Sequence, residues 1–135
     1  MPSGVAVDTC VLIEFMRAKD KSKTMYAKLV RNTVPLYIST IVLFEVRAGL
    51  NASNQECLMG LLRKTVCLPF DERTAEIAAD LSRKLRRNRI QVESSDLFIA
   101  ATAIAHDLPL ATLNRKHFER IEGLILFDNE RTPIT

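Results

Sequence analysis

The sequence predicts a single α/β domain over residues 1–135, with a central parallel sheet of four to five short strands and helices on both faces. Short apolar runs alternate with helical patterns along the chain, and strands that are separated by whole helices pair in parallel. The 135 residues, 47% of them hydrophobic, suffice to bury one core. No internal repeat or linker divides the chain, so we expect one domain.

The predicted elements follow from apolar periodicity and from helix start and stop signals. In chain order they are a strand over 5–7, a helix over 9–16, a strand over 34–38, helices over 40–49 and 54–62, a strand over 65–70, helices over 71–87 and 96–106, and strands over 108–113 and 124–127.

Capping residues set the predicted helix starts. Thr9 is expected to cap the first helix, Ser39 or Thr40 the second, and Asp71 the long fourth one. The third helix begins with Ser53-Asn54-Gln55-Glu56, which is a capping-box pattern. Each helix thus has a polar residue that can bond the free N–H groups of its first turn.

Three carboxylates lie inside apolar stretches: Asp8 follows the strand over 5–7, Glu45 interrupts an apolar helix, and Asp96 precedes the apolar run over 97–101. An ionised carboxylate is costly to bury unless it is paired or binds a metal. Parallel sheets bind ligands beyond the carboxyl ends of their strands, so these acids are expected to converge on a cation site. Asp8 and Asp96 also have a simpler interpretation as helix caps.

Oxygen ligands without Cys or His favour Mg²⁺ or Mn²⁺ over zinc. The three cysteines, Cys10, Cys57 and Cys67, form no C-x-x-C pair and are expected to be buried thiols in a reducing compartment. The longest apolar stretch is too short for a membrane span and the first residues lack a signal peptide pattern. We therefore expect a soluble, cytoplasmic protein with no membrane contact, whose net charge of +3 permits a polyanionic partner.

Four ordered motifs resemble those of PIN-domain ribonucleases, and in particular the VapC toxins of toxin–antitoxin modules. They are Val7-Asp8-Thr9-Cys10-Val11-Leu12-Ile13, then Ile38-Ser39-Thr40 followed by Phe44-Glu45-Val46-Arg47-Ala48-Gly49, then Asp96-Leu97-Phe98-Ile99-Ala100-Ala101-Thr102-Ala103, and Ala111-Thr112-Leu113-Asn114-Arg115-Lys116-His117-Phe118. Each motif alone is weak, but four in order within one compact domain are specific together.

The resemblance implies a Mg²⁺- or Mn²⁺-dependent endoribonuclease. Asp8, Glu45 and Asp96 would be both the catalytic acids and the metal ligands. It also implies a homodimer and inhibition by a cognate antitoxin protein. The neutral or weakly basic groups expected around the acids, as hydrogen-bonding or substrate-contacting residues, are Thr9, Ser39, Thr112, Asn114 and His117.

One position departs from the family pattern. Many members have a fourth acid just before the Phe of the last motif, where this chain has His117. Asn114, Glu93 or water could supply the missing contribution. His117 could support the site, contact RNA, or be an ordinary surface residue.

The basic segment Arg83-Lys84-Arg86-Arg87-Asn88-Arg89 has two interpretations. It could contact RNA phosphates, or its cations could simply complement the dipole at a helix C-terminus.

Three other functions compete with a nuclease: a receiver-like Mg²⁺-binding signalling domain, an aspartyl phosphatase, and an inactive PIN-like interaction module. A receiver would want adjacent acids near the first strand, but Val7 precedes Asp8, and a phosphatase would want a second Asp where Cys10 stands.

Overall fold

The computed structural model of the chain describes residues 4–32, 34–49 and 51–128. The strands are β1 (Val5–Val7), β2 (Leu36–Ser39), β3 (Thr65–Leu68) and β4 (Leu110–Ala111). The α-helices are α1 (Thr9–Arg17), α2 (Met25–Arg31), α3 (Thr40–Ala48), α4 (Gln55–Arg63), α5 (Glu72–Arg87), α6 (Ser94–Ala105) and α7 (Arg115–Phe118). Two short 3-10 turns, Lys21–Lys23 and Ala52–Asn54, precede α2 and α4.

The four described strands form one parallel sheet in the order β3-β2-β1-β4. All three residues of the central strand β1 are buried, as expected for a strand that is covered on both faces. The chain steps outward from β1 to β3 and then returns to β4. Because crossovers between parallel strands are almost always right-handed, we expect α5 and α6 on the face opposite α1 to α4. The predicted α/β class and parallel pairing are confirmed.

The sheet gathers polar side chains at one end. Asp8 directly follows β1, Ser39 ends β2, and Thr112 directly follows β4. All four strands run the same way, so these three residues lie together at the carboxyl end of the sheet. This edge is where ligands bind in open parallel sheets.

Two of the predicted caps are confirmed. The Ser39 hydroxyl accepts a hydrogen bond from Val42 N at 3.1 Å at the start of α3. Asp71 Oδ1 accepts from Thr74 N at 3.0 Å at the start of α5. Satisfying a free N–H in the first turn stabilises a helix by about 1 kcal/mol, which explains where these two helices begin.

Two other predicted caps are wrong. The cap of α1 is Asp8, whose Oδ1 accepts from Thr9 N, and Thr9 is the first helical residue. The capping box at Ser53 does not form, because the Ser53 hydroxyl donates to Asn51 Oδ1 within a 3-10 turn. Helix α4 then begins at Gln55 without a side-chain cap.

Strand lengths also differ from the prediction, and two helices, α2 and the four-residue α7, were not predicted. The strand over 34–38 is found at Leu36–Ser39, and that over 65–70 ends at Leu68, before Pro69. The strand over 108–113 shortens to Leu110–Ala111, and 124–127 contributes one bridge, from Leu126 to Leu110. Helix α2 was not predicted, because the many basic residues in this part of the sequence obscure the apolar spacing of Tyr26 and Leu29. Both of these residues are buried in the structure.

The three cysteines are free, as expected. Burial was predicted for all three, which is wrong for Cys67, since the edge strand β3 leaves it exposed, while Cys10 and Cys57 are half-buried. Within residues 4–32, 34–49 and 51–128, no helix is both long and apolar enough to cross a lipid bilayer.

Candidate active site

Asp8 is a buried carboxylate at the end of β1, only 4% exposed. Its Oδ1 accepts a hydrogen bond from Thr9 N at 2.8 Å, and its Oδ2 accepts one from the Thr112 hydroxyl at 2.7 Å. Its backbone N donates to Ala111 O at 3.0 Å. The side chain is therefore fixed to both α1 and the end of β4, which satisfies its charge without a cationic partner.

Cys10 belongs to the same network, although the sequence suggested a plain core residue. Its thiol donates to Asp8 Oδ2 at 3.3 Å, and its Sγ accepts from Leu113 N at 3.3 Å. Burial and the neighbouring Asp8 charge raise the pKa of the Cys10 thiol, so it stays a protonated donor at neutral pH. The available signal was its position two residues after Asp8, in the first turn of α1.

Glu45 comes from the second turn of α3 and is half-buried. Its Oε1 accepts a hydrogen bond from the Thr9 hydroxyl at 2.6 Å. Thr9 thus bonds Asp8 through its backbone N and Glu45 through its side chain. The prediction that Thr9 lies beside these two acids agrees with this geometry.

Asp96 lies in the first turn of α6, and its side chain is 19% exposed. Burial is the main cause that raises its pKa, and the charge of Asp8 is the next; Glu93 and Glu45 raise it further, while His117 opposes them. The His117 Nδ1 lies 3.4 Å from Asp96 Oδ2. Asp8, Glu45 and Asp96 therefore lie close enough to interact electrostatically.

The acids do not form a ready-made chelate. Among the described residues, no three His, Cys, Asp or Glu side chains are arranged so that they could hold a metal ion. The donor chemistry nevertheless fits Mg²⁺ or Mn²⁺, because carboxylate oxygens are the hard ligands that these ions prefer. Glu45 Oε2 and Asp96 Oδ1 accept no hydrogen bond from the described part of the chain, so they remain available as ligands.

The other predicted site residues fall into two groups. Thr112 and His117 contact acids, Asp8 and Asp96 respectively. The Ser39 hydroxyl caps α3, and Asn114 contributes its backbone N, which donates to the Thr112 hydroxyl at 3.0 Å. Neither of the latter two side chains bonds one of the three acids within residues 4–32, 34–49 and 51–128.

A cleft of about 200 Å³ opens beside Asp96. One wall is the loop over 90–93, and the other carries Lys116, His117 and Arg120 from α7 and the residues just after it. The sequence motifs identified His117 but not the two cations, because surface lysines and arginines are common and their side chains are placed only by the fold.

The chain is similar to known proteins in both sequence and fold. A sequence model of the PIN domain matches residues 5–124. The chain belongs to the PIN domain family.

Individual relatives match over most of their own length. The chain is 30% identical to Ribonuclease VapC19 of Mycobacterium tuberculosis over 118 residues, which are 87% of this chain and 94% of the relative. It is 33% identical to Ribonuclease VapC of Rickettsia bellii over 129 residues, covering 90% and 92% of the two chains. Among solved structures, DNA-bound VapBC from Salmonella typhimurium superposes with a TM-score of 0.82 at 26% identity, covering 95% of this chain and 98% of that chain.

Proposed function

We propose that this protein is a divalent-metal-dependent endoribonuclease that hydrolyses RNA phosphodiester bonds and serves as the toxin of a type II toxin–antitoxin module. Its membership of the PIN domain family and its relatives named as VapC ribonucleases support the activity. The observation that carries the proposal is that Asp8, Glu45 and Asp96, from three separate elements, interact at the carboxyl end of β1. The receiver-like and phosphatase alternatives lack the further acids that they need near Asp8, because Val7 and Cys10 stand at those positions.

We assign a catalytic role to each of the three acids. Asp8 and Asp96 act as metal ligands, and Glu45 acts as a ligand or as the group that orients the attacking water. Mg²⁺ or Mn²⁺, when bound, would supply charge to polarise the scissile phosphate and to make water a stronger nucleophile. Burial, and after it the negative charge of Asp8, raise the pKa of Asp96, and a bound cation would favour its ionised form.

Neutral groups hold the acids in place. The Thr112 hydroxyl fixes Asp8 Oδ2, and the Thr9 hydroxyl fixes Glu45 Oε1. Both are donors that cannot neutralise a carboxylate by proton transfer near neutral pH. They therefore orient the acids while leaving the negative charge that a metal site needs.

The test is cleavage of a mixed pool of RNA by the purified protein with Mg²⁺, with Mn²⁺ and with chelator. We expect cleavage with either ion and none with chelator, and loss of cleavage in Asp8→Asn and Asp96→Asn. Asp107→Asn is the matched control, because it makes the same change at an exposed residue beyond the other end of α6. Equal cleavage by all four proteins, after rigorous removal of contaminating nuclease, would exclude this mechanism.

The partners follow from the solved relatives, which include DNA-bound VapBC from Salmonella typhimurium. We propose a cognate antitoxin that inhibits the nuclease, a homodimer of the toxin, and action in the cytoplasm. Expression of this chain alone should arrest growth, co-expression of the neighbouring small gene should relieve the arrest, and light scattering should give twice the chain mass. The Asp8→Asn variant should be harmless, which separates toxic cleavage from the general burden of expression.

A further inference from the structure

The cleft beside Asp96 has an uneven distribution of charge. Asp96 and Glu93 contribute carboxylates to its lining, and Lys116 and Arg120 contribute cations. The two cations are four residues apart and face the same space. The cleft thus joins an acid of the proposed catalytic centre to a pair of cations within one continuous surface.

These two cations have no partner in the described part of the chain, unlike several of their neighbours. Arg115 donates to Phe127 O at 3.1 Å, and Lys84 lies 3.9 Å from Glu122. No hydrogen bond or ion pair involves Lys116 or Arg120 within residues 4–32, 34–49 and 51–128. Their charge is therefore available to an anionic ligand.

The loop over 90–93 also borders a second hollow. A larger hollow of about 530 Å³ shares that loop and extends to Arg86 on α5. The path from α7 to α5 therefore runs past Gln91 and ends at a further cation, Arg86. It joins the site to the basic segment for which the sequence left RNA contact open.

We propose, on the basis of the endoribonuclease function above, that Lys116 and Arg120 bind the RNA phosphate next to the one that is cut. The strand then continues along the loop over 90–93 toward Arg86. A phosphate placed for cleavage at Asp96 puts its neighbour in the same cleft, among the two cations. No Phe, Tyr or Trp side chain lines this path, so we expect it to contact mainly the RNA backbone and to add affinity with little base preference.

The proposal is tested by RNA binding in a non-cleaving protein. Lys116→Gln and Arg120→Gln are introduced together into Asp8→Asn, and the Kd for a single-stranded RNA is measured over a range of salt concentrations. Each phosphate contact on a single strand contributes about 0.7 to the slope of log Kd against log salt. Loss of this one phosphate contact should lower the slope by about 0.7 and weaken binding roughly 5-fold at about 0.1 M salt.

The matched control is Arg63→Gln with Lys64→Gln, also made in the Asp8→Asn protein. It removes the same charge from exposed positions just before β3, at the opposite edge of the sheet and the opposite end of its strands. This control should keep the slope of the Asp8→Asn protein and most of its affinity. Equal losses in the two double variants would overturn the proposal, because they would show a general charge effect. Thermal melting confirms that each variant is folded.

A second measurement locates the contact on the RNA. Uncharged methylphosphonate linkages are placed one at a time along the RNA. The linkage adjacent to the cut should weaken binding to the Asp8→Asn protein. It should not weaken binding to the Asp8→Asn protein that also carries Lys116→Gln and Arg120→Gln. If Lys116→Gln with Arg120→Gln binds RNA normally and loses only the antitoxin, the cleft binds an acidic protein segment and the proposal is wrong. Cleavage by the otherwise wild-type protein distinguishes failure of this inference from failure of the proposed function. If removing both cations leaves RNA cleavage unchanged, only this inference is rejected. If the protein shows no RNA binding and no RNA cleavage, the proposed function itself is rejected.

Discussion

Thr112→Val is the sharpest test of how the fold holds Asp8. The Thr112 side chain is buried, and its hydroxyl both donates to Asp8 Oδ2 at 2.7 Å and accepts from Asn114 N at 3.0 Å. Valine keeps the size and branching of threonine but removes these two hydrogen bonds and the 3.5 Å contact between the hydroxyl and Cys10 Sγ. The substitution therefore changes polarity without opening a cavity.

The cost can be estimated from these contacts. A hydrogen bond to a charged group contributes about 1.5–3 kcal/mol, and Asp8 keeps its bonds from Thr9 N and the Cys10 thiol. We expect the free energy of unfolding at neutral pH to fall by about 2 kcal/mol. For a domain of this length, that lowers Tm by roughly 6–8 °C. Nuclease activity should fall as well, because Asp8 is held less firmly.

Urea unfolding measures the change, and Thr102→Val is its control. Thr102 is equally buried, but its hydroxyl donates to Phe98 O at 2.8 Å within its own helix. Loss of this hydroxyl therefore removes no hydrogen bond from a buried carboxylate. The control should lie within about 0.5 kcal/mol of wild type. Equal destabilisation by the two substitutions would refute the assigned role of Thr112.

Three further outcomes are expected. In metal-free buffer, the raised pKa of Asp96 means that the folded state binds a proton more tightly than the unfolded state. The contribution of Asp96 to stability should therefore fall as pH rises from about 3.8 through the raised pKa. Asp96→Asn should remove this fall, which thermal melts at several pH values will measure. Mg²⁺ at ten times its Kd should stabilise wild type by about 1.4 kcal/mol and Asp8→Asn by less, and calorimetry with no response in either protein would contradict a metal site. Gly4→Ala should destabilise by about 1–3 kcal/mol because its Cβ would lie 2.5 Å from Pro35 O, whereas Gly60→Ala, which meets open space inside α4, should stabilise by about 0.5–1 kcal/mol in urea unfolding.

The sequence by itself determined the class of fold and the order of its strands, but it did not predict helices α2 and α7. Apolar runs and caps such as Ser39 and Asp71 act over a few residues, so local reasoning finds them. Boundaries were less predictable. Ser53 matched a capping box but bonds Asn51 instead, because an equally local alternative turn competes for the same hydroxyl.

The sequence also pointed to Asp8, Glu45 and Asp96, because a carboxylate in an apolar stretch is costly anywhere it is buried. It could not say what surrounds them. The Thr112 bond to Asp8 joins residues 104 positions apart, and the Thr9 bond to Glu45 joins residues 36 apart. Likewise, only the tertiary structure brings Lys116 and Arg120 to the cleft at Asp96. The physical reason is that burial cost is a property of one residue and its neighbours in the chain, whereas hydrogen-bond partners and local charge depend on which strand ends the sheet places side by side.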